Sequence, residues 1–242
     1  MDQQTRQALK HDQFVDKTAH GLEWASEHRS SLMRTGLIVL AVLVAIVAAA
    51  FIYNHRSEQA SVAFGDAMAT YQTPIAPAGQ QVPPGVKTFP SSVERAKAAN
   101  QLFTQTADRY GMTPSGRLAR YFAGLTALDA GQNTTAENTL KEVSGSWDRD
   151  LASLGKLALA QLYRQTGRNQ QAIDLYHELT AKPSPTVPAG TAQLQLAELY
   201  ESMNQPEQAK KIYAQLKDKD AKGPAGMIAA QKLNPSASGP AF

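Results

Sequence analysis

The chain has 242 residues, a net charge of +3, 43% hydrophobic and 19% charged residues, and no cysteine. Without cysteine, disulfides, thiolate catalysis and cysteine-ligated metals are excluded, and an exported portion would be held by packing alone. The excess positive charge lies after residue 34, where Lys and Arg are scattered among acids; that pattern reads as a solvated surface, not a nucleic-acid footprint.

Residues 1–34 form a polar head whose basic and acidic side chains balance. Its spaced apolar positions (Phe14, Val15, Leu22, Trp24, Ala25, Leu32, Met33) fit either a helix lying at a membrane surface or a loosely ordered segment. From Leu37 to Ile52 the chain is uninterruptedly apolar, with no fixed charge between Arg34 and Arg56. As a helix this stretch covers about 30 Å, the thickness of a bilayer's hydrocarbon core, and residues 35–53 are expected to span a membrane. Ala48, Ala49 and Ala50 also suit a signal-peptide cleavage site, but the long, charge-balanced head favours an uncleaved anchor. Lys17, Arg29 and Arg34 precede the span and Arg56 alone follows it closely. This asymmetry predicts a cytoplasmic N-terminus and an exported C-terminal domain.

The helical pattern continues beyond the span. Ala60, Ala63, Phe64, Ala67, Met68 and Tyr71 recur at spacings of three and four, predicting a helix over 54–72 continuous with the span. Residues 73–91 read as a Pro/Gly-rich loop. Ser91 or Ser92 then caps a helix with Glu94 in its first turn, running to about Tyr110.

From residue 114 the sequence repeats. Gly124, Ala127, Gly131, Ala136 and Leu140 are followed at the same offsets by Ala160, Tyr163, Gly167, Ala172 and Tyr176, then by Ala197, Tyr200, Asn204, Ala209 and Tyr213. The units recur 36 residues apart (Gly131 to Gly167) and then 37 (Gly167 to Asn204). This pattern resembles the tetratricopeptide repeat, a helix–turn–helix unit. Small residues at 124, 160 and 197 and alanines at 136, 172 and 209 let paired backbones approach. Tyr163, Tyr176, Tyr200 and Tyr213 fill the space between units, and Gly131, Gly167 and Asn204 suit a left-handed turn. The first unit departs from the pattern, with Ala127 and Leu140 where aromatics are expected. The fold class is therefore all-α: a single transmembrane helix followed by a tetratricopeptide-like solenoid over 92–221, with a short terminal helix and flexible tail over 222–242.

The first helix of each unit lines the concave face of such a stack. The turn alignment places Leu118, Tyr121, Leu125 and Leu128 there from unit one, Leu154, Leu157, Gln161 and Arg164 from unit two, and Leu194, Glu198 and Glu201 from unit three. These make a candidate protein-binding groove, apolar at one end and charged at the other. Alternatively, Tyr121, Leu125 and Leu128 are covered by the helix over 92–110 or by the end of the membrane-linked helix.

Short head, single span, continuous helix and small repeat stack together resemble the YfgM-like family of membrane-anchored repeat proteins, ancillary subunits of the SecYEG translocon. The resemblance covers most of the chain, although the proline-rich insertion at 74–90 is not carried over. It implies a bacterial inner-membrane protein with a periplasmic domain. The implied partners are translocon subunits, envelope chaperones or exported polypeptides, with lipid contact through one span. A structural assembly subunit or regulator of another envelope complex is the alternative.

No catalytic, cofactor-binding or metal site is expected. His11, His20 and His28 spread around a helix, His55 flanks the span, and His177 follows a core tyrosine. No phosphate-binding loop or nucleophile elbow occurs. The function expected is therefore non-enzymatic, protein–protein interaction at a membrane.

Overall fold

The computed structural model describes residues 29–76 and 84–234. The head before Arg29, the middle of the Pro/Gly loop and the tail after Asn234 lie outside the described residues. The chain divides into two compact units, Met1–His55 and Arg56–Phe242.

Helix α1, Arg29–Tyr71, runs without a proline until Thr73-Pro74, where the residue before proline is driven out of the helical region. Within the first unit its side chains stand clear of other protein; Val47 is 68% and Phe51 75% exposed. By length and composition this helix can cross a membrane.

In the second unit the last turns of α1 pack on α2, Ser92–Tyr110, and α3, Pro114–Asp129. Ala67, Ala99, Phe103, Ala107, Ala119 and Ala123 form the buried contact, with Phe64, Met68, Tyr71 and Phe122 packed against it. The Phe103 ring lies 5.2 Å from Phe122 and 5.6 Å from Phe64, and the Tyr71 ring 6.4 Å from Phe103. Polar contacts fix the register: Arg56 donates to the Arg109 carbonyl at 3.1 Å and the Tyr71 hydroxyl to Asp129 at 2.8 Å. Burial, then that carboxylate, pushes the Tyr71 phenol up to about 12. The ends of the Pro/Gly loop are pinched together, Ala76 N–H donating to Phe89 O and Phe89 N–H to Pro74 O.

Three helical pairs follow: α3 with α4 (Asn133–Ser144), α5 (Arg149–Gln165) with α6 (Asn169–Ala181), and α7 (Ala189–Ser202) with α8 (Pro206–Lys219). Helix α9, Pro224–Leu233, packs on α7 and α8. The fold is an all-helical tetratricopeptide-like stack.

Each pair closes through the same turn. Gly131, Gly167 and Asn204 take φ of 74°, 75° and 58°. The N–H of each bonds the carbonyl three residues back, and the next N–H bonds the carbonyl five back: Gln132 to Ala127 at 2.8 Å, Arg168 to Tyr163 at 2.8 Å, Gln205 to Tyr200 at 2.9 Å. This is the Schellman closure, which satisfies the orphan carbonyls of the first helix while reversing the chain. Entry into α3 and α5 uses side-chain caps instead. Thr113 accepts from Gly116 N–H, and Asp148 from Asp150 and Leu151 N–H, which satisfies otherwise unpaired donors.

Close approach within a pair depends on small residues. A Cβ on Gly124 would sit 2.6 Å from Leu140 Cδ2, and Ala136, Ala160, Ala172 and Ala197 are fully buried. Between pairs, Tyr163, Tyr176, Leu162, Leu179, Val187, Leu196 and Leu199 join one core, and Tyr200 bridges from it to a distal cluster around Tyr213 and Leu216. The proline-rich connection between α6 and α7 is fastened down: Val187 is fully buried, Thr186 donates to the Asp150 carbonyl, and Arg149 donates to the Pro183 carbonyl.

An ionic clamp crosses from α4 to the next turn. Glu137 pairs with Lys141 at 2.7 Å and Arg168 at 2.8 Å and accepts from Tyr163 at 3.3 Å, while Arg168 stacks 4.3 Å over the Tyr163 ring. Lys141, then Arg168, holds the Glu137 carboxyl below its usual range.

Two predictions follow from this packing. Phe103→Ala removes a ring that is fully buried and should cost about 3–5 kcal/mol in denaturant unfolding; a midpoint equal to wild type would show that the α1–α3 contact is not stabilising. Because the folded Glu137 carboxyl titrates below its unfolded value, its contribution is complete at neutral pH and is lost as pH falls below about 4.5. Urea midpoints of Glu137→Gln and wild type should therefore differ at pH 7, and the difference should shrink as pH is taken progressively below about 4.5.

Candidate protein-binding surface

Among the first helices of the pairs, α3 lies against α5, and α7 lies against the terminal helix α9; α5 reaches α7 through the ion pair Arg164–Glu198 at 3.8 Å. Helical periodicity turns one stripe of each helix into the core and leaves the adjoining stripe on the open face. Tyr121, Leu125 and Leu128 of α3 and Leu154 and Leu157 of α5 are half-buried and rest on the central core. Leu118 and Gln161 are also half-buried. Leu194 of α7 rests on the distal cluster.

The polar end is internally paired. Arg164 is exposed and meets Glu198, which also accepts from Gln195 Nε2 at 3.2 Å. Glu201, exposed, pairs with Lys232 of α9 at 3.4 Å. Beneath this end lie two buried phenols at equivalent repeat positions. Burial pushes the Tyr176 hydroxyl up to about 12, with the Arg164 charge opposing. Tyr213 is pushed up by burial and then by the Glu201 carboxylate.

Phe122, the residue after Tyr121, supplies the contact with α1 and α2; Tyr121 touches that ring edge-on at 5.5 Å. Sequence periodicity put Tyr121 on the candidate face and gave no role to Phe122. Lys232 was likewise missed, because the repeat alignment ends at Tyr213 and offers no column for a residue of α9. Gln195 carried no signal apart from its polarity. Among the described residues no cluster of three His, Asp or Glu side chains is arranged to hold a metal ion. The surface offers apolar contact and paired charges, which suit protein recognition.

Comparisons with known proteins agree with the repeat fold. The family description "Tetratricopeptide repeat-like domain" matches residues 23–183, and "Tetratricopeptide repeat" matches residues 191–222. Among solved structures, a variant of a putative kinesin light chain from Podosopora anserina with nearly identical TPR-like repeats superposes with a TM-score of 0.55. The two are 18% identical over 75% of this chain and 85% of that one, a likeness of fold alone. No curated protein matches the sequence. Tetratricopeptide repeats indicate a protein–protein interaction scaffold. With two thirds of its length matched, from the residues before the apolar run through the second helical pair, the chain belongs to the tetratricopeptide repeat-like domain family.

Proposed function

We propose that this chain is a membrane-tethered, non-enzymatic scaffold that holds partner proteins at the bacterial inner membrane. Residues 35–53 span the bilayer, the N-terminus is cytoplasmic, and the repeats face the periplasm. The observation that carries the reading is the continuity of α1: one helix contains the exposed apolar run and also supplies Phe64, Ala67, Met68 and Tyr71 to the repeat packing. A partner captured on such a stack is confined to the membrane surface, which raises its effective concentration toward anything else embedded there.

The resemblance to YfgM-like proteins suggests the partners: translocon subunits, envelope chaperones and newly exported polypeptides. They would engage the face built from Tyr121, Leu125, Leu128, Leu157, Gln161, Arg164, Leu194, Glu198 and Glu201.

The test is mild-detergent purification from the native membrane with mass-spectrometric identification of bound proteins. Translocon subunits and envelope chaperones should be recovered with the full chain and lost without residues 92–220. A stable complex without translocon would assign the scaffold to another envelope assembly. Orientation is read separately, since the chain lacks cysteine. A Ser202→Cys variant should react with an impermeant maleimide in spheroplasts, and Gln4→Cys only after lysis; the reverse pattern would overturn the topology. A Leu157→Gln, Arg164→Ala variant should bind recovered partners about tenfold more weakly, equivalent to about 1.4 kcal/mol, with its fold retained by circular dichroism. Undiminished binding would exclude this face.

A further inference from the structure

Away from the open face, a recess of about 230 Å³ lies where the turn before α3, the first turns of α3, the end of α4 and the start of α5 meet. Its floor is apolar, with Val143 and Leu151 buried, and its rim carries Trp147. This indole is 81% exposed, and Met112, in the turn before α3, is 87% exposed. The loop that presents Trp147 is fixed without help from the indole. Gly145 ends α4, Ser146 Oγ accepts from Asp148 N–H at 3.2 Å, and Asp148 caps α5. The backbone that carries Trp147 is therefore already ordered, and the indole has no part in the repeat packing.

The charges of the recess are unequal in their partners. Arg120 is answered by Asp108 at 2.8 Å and Glu142 at 3.5 Å. Arg117 has no carboxylate at ion-pair distance among the described residues: its Nη1 donates to the Met112 carbonyl, its guanidinium lies 4.8 Å from the Trp147 ring, and its Nε is buried without a hydrogen-bond partner. A planar guanidinium held over an indole, with no carboxylate of its own, is preorganised for one supplied by a partner. Tryptophan and arginine at the rim of an apolar recess are also the residue types that dominate protein-interface energetics.

We propose that this recess is a second protein-docking site, distinct from the open face of the stack, which takes an apolar side chain flanked by an Asp or Glu of a partner protein. The apolar side chain enters over Val143 and Leu151 beneath Trp147, and the carboxylate meets Arg117. The recess shares no residue with the open-face groove, so a partner held in one leaves the other available. A scaffold built this way can hold two proteins at once.

The test uses the full chain in nanodiscs with Trp24→Phe, leaving Trp147 as the reporter. A random twelve-residue peptide library is selected against it, with an Arg117→Gln, Trp147→Ala chain as counter-selection. Trp147 is exposed, so the counter-selection chain should fold, as circular dichroism will check, and Arg117→Gln alone serves if it does not. Surviving peptides should carry an apolar residue within two positions of Asp or Glu. As synthetic peptides they should shift Trp147 emission to the blue and bind at least tenfold more weakly to Arg117→Gln. Survivors without acidic residues, or no survivors, would overturn the proposal. So would a blue shift produced by phosphatidylglycerol vesicles and not by any peptide, which would assign the recess to lipid. Peptides that lose binding only in the Leu157→Gln, Arg164→Ala variant would leave the scaffold reading standing and remove this second site.

Discussion

A helical pair of this kind cannot bury both of its broad faces by itself, and that incompleteness governs the rest of the molecule. The pair forms because a small residue, Gly124 against the Leu140 side chain in the first unit, lets the helices close to a distance that a Cβ would forbid. Closure exposes an apolar face on each side, so a pair is stable only between neighbours or beneath a cover. The aromatic residues are accordingly placed between pairs, and both ends of the stack need a terminator. Helix α9 is one, packed on α7 and α8. The other is supplied by α2 and the last turns of α1, so the helix that carries the apolar run is also structural for the repeats.

That requirement accounts for the irregular first unit. In the register of the turns, Ala127 stands where the later units have Tyr163 and Tyr200, and Phe122 stands where they have Ala158 and Gln195. The aromatic bulk of α3 has moved to the other side of the helix. There it stacks on Phe103 and meets Phe64 edge-on, while Ala127 is fully buried against the next pair. A unit that faces a preceding pair of different construction needs its large ring on that side.

The repeating part was legible in the sequence because its constraints are local and recur. A left-handed turn admits few residues besides glycine and asparagine, and close backbone approach admits few besides glycine and alanine, so both leave marks at fixed offsets. The uninterrupted apolar run and the helical spacing after it were equally plain. What could not be read depends on contacts between distant segments. The choice between Tyr121 and Phe122 as the ring that faces α2 turns on a rotation of about 100° per residue about the helix axis, finer than the alignment resolves. The pairing of Glu201 with Lys232 joins two elements with no common register. The Ile75–Phe89 bridge joins the ends of a loop whose composition signals only the absence of helix. Trp147 and Arg117 are thirty residues apart, and neither belongs to a periodic pattern.

The charges at the distal end of the proposed groove bear on how it would bind. Arg164–Glu198 and Glu201–Lys232 are long pairs, 3.8 and 3.4 Å, between side chains that are all at least one third exposed. Pairs of this kind contribute between nothing and about 1 kcal/mol. They therefore keep opposite charges in place on neighbouring helices, spanning α5, α7 and α9, without locking them together. A segment that brings its own charged group can exchange partners with either pair at little cost. The half-buried leucines at the other end offer contact area that any apolar side chain can use. A groove of this kind would accept segments of varied sequence, with selectivity set by where charge falls relative to apolar residues along the bound chain. For a scaffold that meets more than one client this would be the useful arrangement, since weak, exchangeable surface pairs discriminate less sharply between partners than buried polar groups that must each be satisfied.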